Sequence, residues 1–311
     1  MQADQFQLNS AIEHVHWWFV ARRRILRELI AQVLPPSPQT MIVDVGCGTG
    51  GNVASLSEDY TCVGIDPSPE AVELASRRFP GVRFLRGHAP DDLGDVVSRA
   101  NLFLLTDVLE HTPDDFALLS RLLSVASPGA WFLLTVPADS SLWSTHDESH
   151  GHYRRYDRER FEQLWQGLPV TVPMVSHFNS RLYPLVKWMR KIHRVRGKAC
   201  GEAGTDIKMP SRWVNRLLTR SFVGESRVLG DLLQGKRRRG FRRGVSLIGL
   251  LRREAGRVAP RIKPPHVAPD RYDPVAGRIL AAEFGETLPG KVPVHEALHD
   301  RDSVLQRDRA A

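Results

Sequence analysis

Between residues 9 and 34 the apolar positions Ile12, Val15, Trp18, Phe19, Ile25, Leu26, Leu29, Ile30 and Val33 recur at three- and four-residue intervals. That spacing predicts a helical region with one buried face. The run Pro35-Pro36-Ser37-Pro38 stops it. Short continuous apolar runs at 41–45, 61–65, 82–85, 102–106 and 131–136 then predict five strands, with helices such as 69–79 and 114–126 between them. Strands without inside–outside alternation, separated by helices, point to a parallel sheet covered on both faces.

After Pro137 the rhythm changes. A polar stretch rich in His and Arg, 143–157, leads to a predicted short helix at 158–168 and a strand-like run at 170–175. Two further helices, 182–195 and 212–233, mix apolar with basic residues, and 244–251 predicts a last strand ended by Arg252-Arg253. Scattered prolines and lost periodicity from 255 onward predict a loosely attached tail, with a short helix around 275–284. The organisation expected is a helical cap at 1–36, an α/β domain at 37–254 that includes a basic helical insertion at 179–240, and a flexible tail at 255–311.

Composition narrows the class only a little. Three cysteines, Cys47, Cys62 and Cys200, lack metal-ligand spacing and fit a reducing cytosol. No apolar run approaches the roughly 18–20 residues of a spanning helix, and the first residues lack the basic start of a secretory signal. Charge is informative once divided. Residues 181–254 hold 20 Lys/Arg against 5 Asp/Glu, whereas the whole chain has 43 against 35, so everything outside that segment is net acidic. Such a segment suits anionic headgroups, nucleic acid or an acidic substrate, or is simply a solvated helical face. Leu182, Tyr183, Leu185, Val186, Trp188, Met189 and Ile192 share one predicted helix with Arg181, Lys187, Arg190, Lys191, Arg194 and Arg196, a mixture suited to a membrane interface. Peripheral contact with the inner membrane face through 181–254 is therefore one expectation, and an insertion covering an acceptor pocket is the other. No RNA-binding module is recognisable.

The chemistry concentrates at strand ends. The first strand runs into Asp44-Val45-Gly46-Cys47-Gly48-Thr49-Gly50, where glycines permit a sharp turn and close approach of a ligand. Gly46, Gly48 and Gly51 also satisfy the dinucleotide pattern, and Asp66 after the second strand suits a ribose in either case. Asp44 separates the two: a carboxylate there repels a pyrophosphate but helps hold an ammonium group. The fourth strand ends in Thr106-Asp107-Val108-Leu109-Glu110-His111, and Pro128-Gly129 introduces the fifth.

Over residues 40–138 this set strongly resembles class I S-adenosylmethionine-dependent methyltransferases of the type that includes the ubiquinone-pathway O-methyltransferases. The resemblance implies a Rossmann-like three-layer fold with strand order 3-2-1-4-5-7-6, the last strand antiparallel. It implies a methionine and ribose site at Asp44, Gly46, Cys47, Gly48, Gly50, Asp66 and Pro67. Adenine would lie at His88 and Ala89, where the family usually has Asp-Ala. Asp107 and Val108 would border the transferred methyl. Bases for the acceptor are sought near the fourth strand: His111 first, with Glu110 beside it and His150 or His152 as second participant. The acceptor expected is a small molecule, sugar or lipid-linked compound methylated on oxygen. RNA methylation, an NAD-dependent enzyme and a non-catalytic cofactor-binding protein are the alternatives. Asp107, Glu110 and His111 also resemble the metal motif of RNA 3′-end 2′-O-methyltransferases, completed by His150 or His152, although metal-free chemistry is the expectation. The aromatic run His16-Trp17-Trp18-Phe19 with Arg22-Arg23-Arg24 is read either as a lid or as a packed helix, and 151–156 as a substrate-side loop.

Overall fold

The computed structural model describes residues 3–196, 209–265, 267, 270–275 and 278–279. A seven-stranded sheet organises them. Its strands are β1 (Ser37–Val45), β2 (Tyr60–Asp66), β3 (Arg83–Arg86), β4 (Leu102–Thr106), β5 (Trp131–Pro137), β6 (Val170–Phe178) and β7 (Ser246–Arg253), in the order 3-2-1-4-5-7-6. Pairs among β1 to β5 are parallel, and β7 runs antiparallel to both neighbours. All five residues of β4 and the last five of β1 are buried, as expected of strands covered on both faces. The crossover order leaves the carboxyl ends of β1 and β4 side by side, which is where α/β sheets bind ligands.

The helices in chain order are α1 (Ala3–Ile12), α2 (Trp17–Val33), α3 (Gly51–Ala54), α4 (Pro69–Arg78), α5 (Val96–Arg99), α6 (Asp115–Val125), α7 (Thr145–His150), α8 (Arg158–Gln163), α9 (Tyr183–Arg196), α10 (Arg212–Val223) and α11 (Ser226–Leu233). One face of the sheet packs Phe103, Phe132 and Leu134 against Phe116 and Leu119 of α6 and Phe161 of α8. The other packs Ile42, Leu104 and Ile248 against Ile25 and Leu29 of α2, Phe222 of α10 and Leu229 of α11. No helix among the described residues is long and apolar enough to cross a membrane.

Several boundaries depart from the pattern reading, most of them for a tertiary reason. The single helical region at 9–34 is two helices, because Glu13 turns inward at the break and accepts a hydrogen bond from the Thr49 hydroxyl at 2.8 Å. The helix expected at 212–233 breaks at Gly224-Glu225. There the buried Glu225 carboxylate accepts from the backbone N–H groups of Ser180 and Arg181, at 2.8 Å each. The last strand includes Arg252 and Arg253 instead of ending before them: Arg253 is buried, and its guanidinium donates to the carbonyls of Leu123, Glu254 and Gly256 instead of to water. The stretch from 255 packs on the domain over its described length, with Val258 and Val267 in the core and Asp270 paired to Arg154 and Lys263. Of the helix expected at 275–284, residues 278–279 are extended, pairing as β9 (Arg278–Ile279) with β8 (Tyr272–Asp273), and 276–277 and 280–284 lie outside the described residues.

Candidate active site

The loop after β1 is shaped by two constraints. Gly46 has φ +67°, and a Cβ there would meet Val108 Cγ2 at 2.8 Å. Gly48 has φ +52° but nothing within 4 Å of an added Cβ, so it faces open space. Only glycine takes these conformations without strain, and only at Gly48 does the backbone open toward a ligand. Gly50, at φ +80°, is different again: it packs against Phe84.

The N–H groups at the start of this loop are already committed. Gly46 and Cys47 donate to the Ile65 carbonyl at 2.8 and 3.1 Å, and Gly48 donates to Asp66 Oδ2 at 2.9 Å. A pyrophosphate is held by free N–H donors, and those of Gly46, Cys47 and Gly48 are taken. The surrounding charge also disfavours an anion. Asp44 is fully buried with neither carboxylate oxygen hydrogen-bonded, and its pKa is raised to about 7 by desolvation. Asp66 lies alongside, its own pKa raised by burial against the hydrogen bonds from Ser68 and Gly48. The Glu13 carboxylate covers Gly51, held by Thr49 and Arg78. Three carboxylates around the loop favour a cationic ligand over an anionic one.

A cavity of about 770 Å³ opens from this loop. Gly46, Cys47, Gly48 and Asp107 form one wall, His16, Trp17, Trp18, Phe19 and Arg22 from the start of α2 another, and Glu110, His111, His146, His150 and His152 a third. The aromatic run therefore lines the site, and the geometry favours the lid reading. Arg22, whose guanidinium lies 4.2 Å from the Trp18 ring centroid, pairs with Asp107 across the cavity. Asp107 sits at φ 59° with its other oxygen accepting from Thr135 Oγ1 at 3.0 Å. Asp44, Gly50, Asp66, Pro67, His88 and Ala89 lie outside the cavity lining, with Asp44 fully buried beneath it and Pro67 and His88 exposed at the ends of β2 and β3. Val108 is packed behind Gly46 rather than in the cavity wall.

The histidines meet because two chain segments are laced together. Leu109–His111 is a 3-10 turn whose Glu110 carbonyl accepts from Tyr153 N–H at 2.8 Å. Arg154 donates to the carbonyls of Leu109, Thr112 and Pro113 at 2.7–3.0 Å. His152 is thereby set edge-on against His111, with ring centroids 4.6 Å apart. Asp147, fully buried, holds His152 Nδ1 at 3.0 Å and Arg155 Nε at 2.8 Å. With a carboxylate at Nδ1, the proton of a neutral His152 belongs on that nitrogen and Nε2 is the free acceptor. His150 Nδ1 faces the His146 carbonyl at 2.8 Å.

Burial sets the protonation states. Desolvation and the neighbouring His152 keep His111 well below its ordinary pKa, and His150 is lowered to about 4, so both are neutral near neutral pH. Glu110 is fully buried with both oxygens unpartnered, and desolvation followed by Asp107 pushes its pKa well up. Asp147 goes the other way: burial is the largest single effect and raises its pKa, but the Arg155 guanidinium, the hydrogen bond from His152 and Arg190 together hold it well below the ordinary carboxylate value.

Glu110, His111, His150 and His152, singled out from sequence, thus share one cavity. Ligand atoms of Glu110, His111 and His152 converge within 4.8 Å of one another, a group that could hold a metal ion. Asp107 and His150 are engaged elsewhere, by Arg22 and by the His146 carbonyl. The 151–156 loop divides: His152 and Arg155 face the cavity, whereas Arg154 and Tyr156 are buried beneath it on Asp115, which also takes both hydrogen bonds from Arg160. Sequence reading missed Glu13 and the pairing of Arg22 with Asp107. An acid at a helix break and an Arg four residues after Trp18 were the only signals.

Residues 18–172, about half of the chain, match the family described as a methyltransferase domain. The trans-aconitate 2-methyltransferase of Deinococcus radiodurans is 30% identical over 131 residues, covering 41% of this chain and 49% of that protein. That of Sinorhizobium fredii is 33% identical over 120 residues, covering 37% and 45%. The chain thus spans about half the length of the curated relatives it matches. A solved structure of the plantazolicin methyltransferase BamL, with a triazolic desmethylPZN analog and SAH, is similar at 13% identity and a TM-score of 0.49, covering 81% of this chain and 91% of that one. The sheet order and the matched segment agree, and the chain belongs to the methyltransferase-domain family.

Proposed function

We propose that this protein transfers the methyl group of S-adenosylmethionine to an oxygen of an acceptor seated in the 770 Å³ cavity. One observation carries the reading: the same cavity has the cation-favouring loop on one wall and neutral histidines on another. The cofactor's fit rests on Asp44, whose two orphaned oxygens lack the cationic partner that a methionine ammonium supplies, and on the open space at Gly48. Asp66 keeps unused acceptor capacity on both oxygens for a ribose diol, while His88 offers no carboxylate to the adenine amino group.

When bound, the sulfonium supplies an activated methyl group with its own leaving group. The protein's work is then to position the acceptor and take its proton. His152, oriented by Asp147, presents Nε2 as the base, with neutral His111 against its ring. Glu110, kept protonated by burial, is a hydrogen-bond donor for the acceptor. The cavity's guanidiniums are already paired with carboxylates of the chain, which favours a hydroxyl over a carboxylate acceptor, although the curated relatives are trans-aconitate methyltransferases. Arg22 is paired with Asp107, and Arg155 and Arg190 both lie on Asp147.

S-adenosylhomocysteine is expected to raise the melting temperature and NAD to leave it unchanged. Labelled methyl transfer into sugar, lipid and RNA fractions of a cell extract then identifies the acceptor class. His152→Ala is expected to lower kcat about 10²–10⁴-fold with the S-adenosylhomocysteine shift retained; an unchanged kcat removes the base assignment. Activity is expected to survive chelation. Loss on chelation with recovery on adding a divalent ion would transfer the role of Glu110, His111 and His152 to metal binding.

A further inference from the structure

α9 and α10 carry apolar side chains that the fold leaves in solvent. Leu185, Trp188 and Met189 of α9 are 47%, 62% and 38% exposed, and Trp213 and Leu217 of α10 are 70% and 58% exposed. Scattered exposed apolar residues are ordinary, but these form stripes at three- and four-residue spacing on two helices beside one opening. Cations flank both stripes: Lys187 and Lys191 on α9, and Arg212, Arg216 and Arg220, four residues apart, on α10, all exposed. Beside α9 a groove of about 510 Å³ is lined by Tyr183, Lys187, Trp188, Lys191 and Arg243, with no carboxylate in its lining. Leu185, Val186 and Met189 of α9 with Val214 and Leu218 of α10 line the deep cavity, so Leu185 and Met189 border its opening, part exposed and part lining it, while Trp188, Trp213 and Leu217 face outward only. An apolar path therefore runs from the outer stripes to the histidines.

We propose that α9 and α10 form a docking face for an anionic lipid bilayer, with the groove beside Trp188 taking a phosphate-bearing headgroup. The acceptor is then an amphiphile that leaves the bilayer between the two helices with its polar end foremost; this second part rests on the methyl-transfer reading above. Charge complementarity and the apolar stripes point the same way. A lipid surface solvates Trp, Leu and Met while its headgroups meet the Lys and Arg rows. A nucleic acid would use the cations and the indole rings but leave Leu217 and the exposed parts of Leu185 and Met189 in water, since they offer no stacking plane.

Flotation of the full chain with vesicles tests the face. Partition onto phosphatidylcholine mixed with phosphatidylglycerol is expected to exceed partition onto phosphatidylcholine alone and to fall with added salt. Lys191→Ala and Arg216→Ala are each expected to lower it about fivefold. Trp188→Ala combined with Trp213→Ala is expected to lower it further at any salt concentration, while all variants keep the wild-type thermal shift with S-adenosylhomocysteine. Equal partition onto both vesicle types, no partition, or binding of poly(U) that anionic vesicles do not displace overturns the docking face. Given vesicle binding, labelled methyl recovered in vesicle-embedded lipid extract supports the amphiphilic acceptor, and label confined to water-soluble products overturns it. Vesicle binding without any S-adenosylhomocysteine shift sinks the methyl-transfer reading and leaves the face standing.

Discussion

Asp44 is a carboxylate whose surroundings make it wait for a cation. It is fully buried, lacks hydrogen bonds, and has its pKa raised to about 7 from an ordinary 3.8. Between those two values the unfolded chain has ionised and the folded one has not, so the fold loses stability as pH rises through that window and the loss is complete above about 7. The size is on the order of 4 kcal/mol as an upper figure. A ligand bringing an ammonium group restores the charged form, so its stabilising effect should grow as pH rises through 7, with a proton released on binding. Asp44→Asn is expected to flatten both dependences and to weaken S-adenosylhomocysteine binding. A melting temperature with the same pH profile in both proteins would show that Asp44 does not carry this charge.

At the scale of elements, the glycine loop separates packing from binding. Gly46→Ala places a methyl on Val108 at a left-handed φ and is expected to cost about 2–4 kcal/mol of stability, read from denaturant unfolding. Gly48→Ala meets open space, so its cost is the conformational one of about 1–2 kcal/mol, but the methyl enters the cofactor wall. Binding of S-adenosylhomocysteine should therefore fall far more for Gly48→Ala than its stability does. Equal behaviour of the two variants would contradict that division. The laced segments at 109–113 and 152–156 show the same logic. Arg154 touches no cavity, yet its three carbonyl contacts hold Glu110 and His111 at the distance from which His152 meets them.

Across the whole molecule, one sheet carries two different covers. α2, α10 and α11 close one face, while α6, α8 and the chain from 255 close the other. Val258 and Val267 are buried in that second core, and Arg261 N–H donates to Ser120 Oγ at 2.7 Å. Val258→Ala and Val267→Ala are each expected to cost about 1–2 kcal/mol; a segment that merely trailed would show no change in unfolding midpoint. The insertion helices are tied to the cap as well: Asn215 of α10 accepts from Trp17 N–H and donates to the Val15 carbonyl, at 2.8 Å each. Cap and insertion therefore form a common roof over the cavity.

Much of this was legible in the residues taken in order. Apolar runs without alternation announced a parallel sheet, because a strand buried on both faces has no polar side. Gly46, Gly48 and the run from Asp107 to His111 pointed to the strand ends where the cavity opens, since ligand sites in such sheets sit at strand ends that local motifs encode. What the order could not contain was distance. His152 reaches His111 only through the Arg154 clamp, and Arg22 meets Asp107 only when α2 folds over β4. Tyr156 and Arg154 looked like substrate contacts until burial placed them on Asp115. The breaks at Glu13 and Glu225 and the continuation of β7 through Arg253 each depend on a polar partner brought in from elsewhere in the chain. Local pattern determines which segments are strands and helices. Satisfying buried charge, which needs partners far apart in sequence, is decided only by the tertiary structure.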